Sequence, residues 1–181
     1  KMVFNVGSPD VEFVALNKKK FDPDAVNKKG AGHVIDFAKP FAVVMQHPVT
    51  TEKNNREHME TLLEAVDGLD MQAVWFWPNS DAGTNEMAKA IRVYRETGKL
   101  KHNKIRFVTD ILPEDFLALL RRSSCLIGNS SSGIKESSYI GVPVVNRVLP
   151  DSDEPEMMGE NIASSVPASS PVVVDLEHIK R

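Results

Sequence analysis

Phe41-Ala-Val-Val-Met-Gln-His-Pro-Val-Thr-Thr-Glu52 decides the fold. Its first five residues are apolar without interruption, the mark of a strand buried on both faces. The chain then turns polar at once, and Pro48 stops any further ladder. Outward from this stretch the pattern repeats in Ala73-Val-Trp-Phe-Trp77, Ile105-Arg-Phe-Val108, Cys125-Leu-Ile127, Val142-Pro-Val-Val145 and Val172-Val-Val174. Each run is short, rich in β-branched or aromatic residues, and bounded by Gly, Pro, Asn or Asp.

Between the runs the period changes to that of a helix. Met59, Leu62, Leu63, Val66 and Leu69 form one apolar stripe, and Met87, Ile91 and Tyr94 form another that Gly98 is placed to stop. Pro113 suits a first helical turn ahead of Phe116, Leu117, Leu119 and Leu120. Strand and helix alternating at this spacing predict βαβ units in an α/β, Rossmann-like doubly wound parallel sheet. The first forty residues stand outside this rhythm. Val3-Phe-Asn-Val-Gly-Ser-Pro-Asp10 reads as one strand ending in a turn, and Lys18-Lys-Lys20 and Lys28-Lys29 read as a solvated connector face. Both ends read as cut, the second in Asp175-Leu-Glu-His-Ile-Lys-Arg181, the opening of a helix.

Composition narrows the class. The 181 residues are 41% hydrophobic and 26% charged, with 8 Phe and 2 Trp, enough for a full core, so a disordered chain is excluded. No apolar run approaches the roughly 18 residues of a membrane helix, and the first ten residues lack the features of a secretory signal. One cysteine makes no internal disulfide and no zinc site alone. A net charge of −3 gives no overall pull on nucleic acid. The expectation is a cytoplasmic, globular domain with no membrane or nucleic-acid partner.

Three polar turns follow the strands. In Cys125-Leu-Ile-Gly-Asn-Ser-Ser-Ser-Gly-Ile-Lys-Glu136 a buried strand runs into serines and a helix expected to begin near Gly133. One reading is a phosphate or diphosphate cradle made by helix amides and the hydroxyls of Ser130, Ser131 and Ser132, with Gly133 allowing close approach and Glu136 accepting from sugar hydroxyls. The other is an ordinary serine cap with a capping-box glutamate. The segment is neither a Walker loop nor a nucleophile elbow. His47 at its strand end is a phosphate donor or proton-transfer group, or else a turn histidine held by Pro48. Pro78-Asn79-Ser-Asp81-Ala-Gly83 occupies the equivalent place, where Ser80 or Asp81 would cap a helix. Convergence of the three on one rim favours a binding site. His33, His58, His102 and His178 show no metal-ligand spacing, Cys125, Trp75 and Trp77 read as core, and Asn129-Ser-Ser131 matches a glycosylation pattern by chance.

Met45-Gln-His-Pro-Val-Thr-Thr-Glu52, Pro78-Asn-Ser-Asp-Ala-Gly83, Ile127-Gly-Asn-Ser-Ser-Ser-Gly-Ile-Lys-Glu136, Gly141-Val-Pro-Val-Val-Asn146 and Gly159-Glu-Asn161 come in the order seen in UDP-N-acetylglucosamine 2-epimerases, and the chain resembles that family over residues 3–175. His-Pro-Val-Thr-Thr looks like the hydrolysing branch. The resemblance implies a GT-B architecture of two Rossmann-like domains, with residues 1–38 the end of the N-terminal domain and connector, and 39–181 the C-terminal UDP-binding domain. It implies that His47, the catalytic candidate, contacts the diphosphate together with Ser130 and Ser131. Ser132 and Gly133 belong to the same segment. Glu136 would bind ribose hydroxyls, Asn79 would touch the ligand, and the backbone of Ile111 and Leu112 would read uracil. Neither metal nor cofactor is implied. The expected partners are a UDP-sugar, the missing N-terminal domain and further copies of the full-length chain. The reaction would eliminate UDP to a glycal and add water, giving a free N-acetylmannosamine-type sugar for sialic-acid-like synthesis. One departure is that Asn146-Arg-Val-Leu-Pro-Asp-Ser-Asp-Glu-Pro155 stands where the family usually carries Gly-x-Arg-Gln after its asparagine. Two rivals remain: a GT-B glycosyltransferase and a nucleotide-sugar-binding domain without catalysis.

Overall fold

The structure, a computed structural model, describes residues 7–51 and 53–146. Its elements are α1 (Pro9–Leu16), α2 (Asp24–Asn27), β1 (Gly30–Gly32), β2 (Phe41–Met45), α3 (Asn55–Asp67), β3 (Gln72–Phe76), α4 (Thr84–Glu96), β4 (Ile105–Val108), α5 (Pro113–Leu120), β5 (Cys125–Gly128), a 3-10 turn (Ser131–Gly133), α6 (Glu136–Ile140) and β6 (Val144–Asn146). They build one sheet in the order β1-β4-β3-β2-β5-β6. All pairs are parallel except β1 with β4. The five parallel strands therefore run 3-2-1-4-5 in their own order, the doubly wound arrangement that the alternation predicts.

The uninterrupted apolar runs are explained by the two layers that cover the sheet. Ala42 and Val44 of β2 face a cluster with Met59, Leu62, Leu63 and Val66 of α3 and Met87, Ile91 and Tyr94 of α4. Phe41 and Val43, on alternate positions, face a second cluster with Leu119 and Leu120 of α5 and with Val26, Ile35 and Val142. Met59, Leu62 and Leu63 are at most 1% exposed. Burying each such side chain contributes about 1.5–3 kcal/mol. Trp75 is fully buried and Trp77 partly so, both against the first cluster, as core residues. Cys125 is half-buried, and burial pushes its thiol pKa up, which suits an inert side chain.

The sequence reading needs correction at several places. Pro9 and Asp10 are no strand-ending turn but the first residues of α1, with Pro9 in the first helical turn. Gly30–Gly32 joins the sheet as an antiparallel edge strand. The lysines are largely solvated, yet Lys19 Nζ lies 2.7 Å from a carboxylate oxygen of the buried Asp115. The strand expected at Val172-Val-Val174, the departure after Asn146 and the closing helix lie outside the described residues. Among the described residues no helix is long and apolar enough to cross a membrane.

The crossover from β4 to β5 carries the chain from one side of β2 to the other, which makes the carboxyl ends of β2 and β5 the switch point where open α/β sheets bind ligands. At the opposite end of the sheet the polar groups are used within the fold. Tyr94 Oη donates to Glu64 Oε1 at 2.6 Å, and the Asp67 carboxylate accepts from the amides of Lys101, His102 and Asn103.

Candidate functional site

His47 stands at this switch point because β2 ends at Met45 and the next residues leave the sheet. Its amide donates to Asn129 Oδ1 at 2.7 Å, and its carbonyl accepts from Asn129 Nδ2 at 3.0 Å and from Gln46 Nε2 at 3.3 Å. On the other side, the Asn79 amide donates to His47 Nδ1 at 3.3 Å. Nδ1 is thus an acceptor, which places the proton of the neutral ring on Nε2. The exits of β2, β3 and β5 meet at this one residue.

Burial lowers the His47 pKa from 6.5, with the Asp81 charge acting in the opposite direction. The folded chain therefore binds this proton more weakly than the unfolded chain. Stability is full above pH 6.5 and declines as pH falls below it. In urea titrations, the unfolding free energy is expected to fall below pH 6.5 in the native chain and to fall less steeply in His47→Gln. An unchanged acid slope in that variant would place the effect on another group.

The Asn79 turn is held from within. Asn79 Nδ2 donates to Asp81 Oδ2 at 2.5 Å, and the Thr84 hydroxyl donates to the carbonyls of Asn79 and Asp81. The caps expected from Ser80 or Asp81 are absent: α4 starts from Gly83, without a side-chain cap, and Thr84 does the bracing.

The serine segment departs from expectation in its helix. A 3-10 turn spans Ser131–Gly133, and α6 opens only at Glu136 and has five residues. Ser130 caps the turn by accepting from the Ser132 amide at 3.3 Å, so the cap reading holds at Ser130. The amides of Gly133, Ile134 and Lys135 pair with the carbonyls of Ser130 and Ser131. That leaves the exposed Ser131 and half-buried Ser132 hydroxyls as the groups this segment presents. Gly133 has a packing reason, since a Cβ there would lie 2.9 Å from Val144 Cγ1. Glu136 is half-buried, and its Oε2 is buried with no hydrogen-bond partner. Gln46 Oε1, near the same rim, is in the same condition.

Ile111 is buried in the second cluster, whereas Leu112 is 54% exposed and leads into Pro113 at the start of α5. Among the described residues, no three His, Cys, Asp or Glu side chains converge to hold a metal. Sequence reasoning missed Gln46, Thr84, Gly128 and Asn129. Gln46, Gly128 and Asn129 lie inside the sequence motifs without a role of their own, and the sequence singles out Asn129 only as a chance glycosylation match.

The fold is a Rossmann-like doubly wound sheet, with polar turns gathered after β2, β3 and β5. The family model described as UDP-N-acetylglucosamine 2-epimerase matches residues 1–154. The chain belongs to the UDP-N-acetylglucosamine 2-epimerase family. It is 26% identical over 147 residues to the UDP-N-acetylglucosamine 2-epimerase of Neisseria meningitidis, a match covering 81% of this chain and 36% of that protein. It is 26% identical over 169 residues to the hydrolysing GDP/UDP-N,N'-diacetylbacillosamine 2-epimerase of Campylobacter jejuni, covering 91% of this chain and 41% of that one. The chain thus spans about two-fifths or less of these relatives. In fold it is similar to the UDP-GlcNAc 2-epimerase of Methanocaldococcus jannaschii, with a TM-score of 0.56 and 18% identity over 92% of this chain and 42% of the other. A structure of that enzyme in complex with UDP-GlcNAc and UDP matches with a TM-score of 0.53 at 17% identity, covering 79% of this chain and 38% of the other.

Proposed function

We propose that this chain is the UDP-binding part of a hydrolysing UDP-N-acetylglucosamine 2-epimerase, acting in the cytoplasm on UDP-GlcNAc or a related UDP-aminosugar. Residues 1–38 would end the N-terminal domain and connect it to the UDP-binding domain at 39–181. The observation that carries the reading is that Asn129, which leads directly into the serine segment, is hydrogen-bonded to His47 at the end of β2. His47 Nε2–H and the hydroxyls of Ser131 and Ser132 supply neutral donors for a diphosphate, and the Glu136 carboxylate supplies an acceptor for ribose hydroxyls. Asn79 contributes its backbone through His47, since its side chain is engaged by Asp81. The backbone beside Ile111 and Leu112 would meet the base. Stabilising the departing UDP in this way assists cleavage of the anomeric C–O bond. The product would be a free N-acetylmannosamine-type sugar for sialic-acid-like synthesis, made by a full-length, oligomeric enzyme.

Calorimetry tests the reading. UDP is expected to bind with EDTA present as well as with magnesium. Ser131→Ala and Glu136→Gln are each expected to lose roughly 1–3 kcal/mol of UDP binding. Binding that requires magnesium, or unchanged affinity in both variants, would reduce the serine segment to a helix cap.

A further inference from the structure

β5 does not simply stop at its last ladder residue. Gly128 lies opposite Met45 in the parallel register and has φ +131°. A Cβ at Gly128 would sit 2.0 Å from the Met45 carbonyl oxygen. This close approach carries Asn129 past the end of the ladder, where its own amide donates to the Met45 carbonyl at 3.2 Å. Its side chain then takes both polar groups of the His47 backbone, one at 2.7 Å and one at 3.0 Å. The two residues are 82 positions apart in the chain.

A carboxamide carries one acceptor and one donor group at nearly the spacing of a peptide unit. It can therefore stand in for a further residue of β5 and extend the pairing of β2 by one position after the strands have begun to diverge. Aspartate lacks the donor, serine is too short to span both groups, and glutamine is a methylene too long. Both amide groups of Asn129 are in use and the residue is half-buried, so it makes a poor glycan acceptor.

We infer that Asn129 is a positioning residue for His47, fixing its backbone so that the ring meets the Asn79 amide through Nδ1 and carries its proton on Nε2. The inference rests on the proposed UDP site for its consequence, because a donor whose tautomer and direction are set beforehand binds an anion without first being ordered. The geometry of the ring itself is independent of that proposal. Asn129 does not touch the ligand in this scheme.

The test uses the full-length polypeptide with 15N-labelled histidines, the His47 signals being assigned with His47→Gln. Long-range proton–nitrogen correlation is expected to show native His47 with an unprotonated Nδ1 and a protonated Nε2, and hydrogen exchange is expected to show a protected His47 amide. In Asn129→Ala the ring should average between tautomers, and UDP should bind about tenfold more weakly by calorimetry. Asn129→Asp should move the ring signals in the same direction, because it retains the acceptor and sets an oxygen against the His47 carbonyl. A native ring pattern and native UDP affinity in Asn129→Ala would overturn the inference. A freely exchanging His47 amide in the native chain would overturn it even where the variants fail to fold. If native protein binds no UDP while Asn129→Ala still shifts the ring pattern, the positioning role stands and the UDP reading falls.

Discussion

Gly128→Ala is expected to destabilise the fold by about 3 kcal/mol or more and to abolish measurable UDP binding. A residue with a side chain strains at φ +131°, and such backbone strain alone amounts to about 1–3 kcal/mol. The contact adds to it. The new Cβ would stand 2.0 Å from the Met45 carbonyl oxygen, less than any real Cβ contact allows. That carbonyl belongs to β2, which is paired on one side with β3 and on the other with β5, so it has little room to withdraw. The strain falls on the segment that delivers Asn129 to His47, and loss of binding should accompany loss of stability. Urea unfolding measures the first and calorimetry at a temperature where the variant is folded measures the second. A folded Gly128→Ala with native UDP affinity would detach the end of β5 from the site.

Turnover shows the other large expected effect. The 181-residue chain is expected to release no UDP from UDP-N-acetylglucosamine in a coupled assay, while the full-length enzyme does so readily. Removing a proton at C2 and protonating the departing oxygen both need groups within hydrogen-bond reach of the sugar. In a two-domain cleft those groups face the phosphate-binding side from the other domain, and closure keeps water from the glycal until it is wanted. Among the described residues, Asp81 is engaged by Asn79 and Glu136 is assigned to the ribose in the proposed reading, so neither is free to serve as a facing acid or base for His47. Turnover by this chain near the full-length rate would overturn the two-domain reading and make His47 the centre of the chemistry.

The parallel strands were legible because burial on both faces leaves an uninterrupted apolar run. Phe41–Met45 and Ile105–Val108 fall where the runs place them, the Ala73–Trp77 run shifts by one residue to Gln72–Phe76, and the Val142–Val145 run forms its strand only at Val144–Asn146. The α3 and α4 stripes were legible for the complementary reason: each helix turns one side to the sheet and its other side to solvent. Helix α1 was not. Phe13 and Leu16 are exposed while Val14 is buried, so Pro-Asp-Val-Glu-Phe-Val-Ala-Leu carries no helical period, and only Pro9 marked a beginning. Strand β1 was hidden in Gly-Ala-Gly, whose place is set by backbone pairing and by Arg106 rather than by apolar side chains. At the site, histidine and serine announced themselves by position after strands. Asn129 did not, because its partners are two backbone groups that only the folded sheet brings near. Gly133, read as room for a ligand, also makes room for Val144, a packing reason that spacing alone does not show.

The same short strand has a bearing on how copies of this chain can meet. A sheet border of unpaired amides and carbonyls is a template for another chain's strand. On the β4 side that border is occupied by three residues, Gly30 to Gly32, and the bend at Gly32 (φ +94°) ends the line there. Arg106 folds its guanidinium onto the carbonyls of Asn27 and Gly32, and a side chain at residue 30 would run into it, at 2.6 Å from its Nε. A newcomer finds too few groups in line to start a ladder. Among the described residues, Gly30–Gly32 thus offers little purchase for strand-to-strand growth at this border.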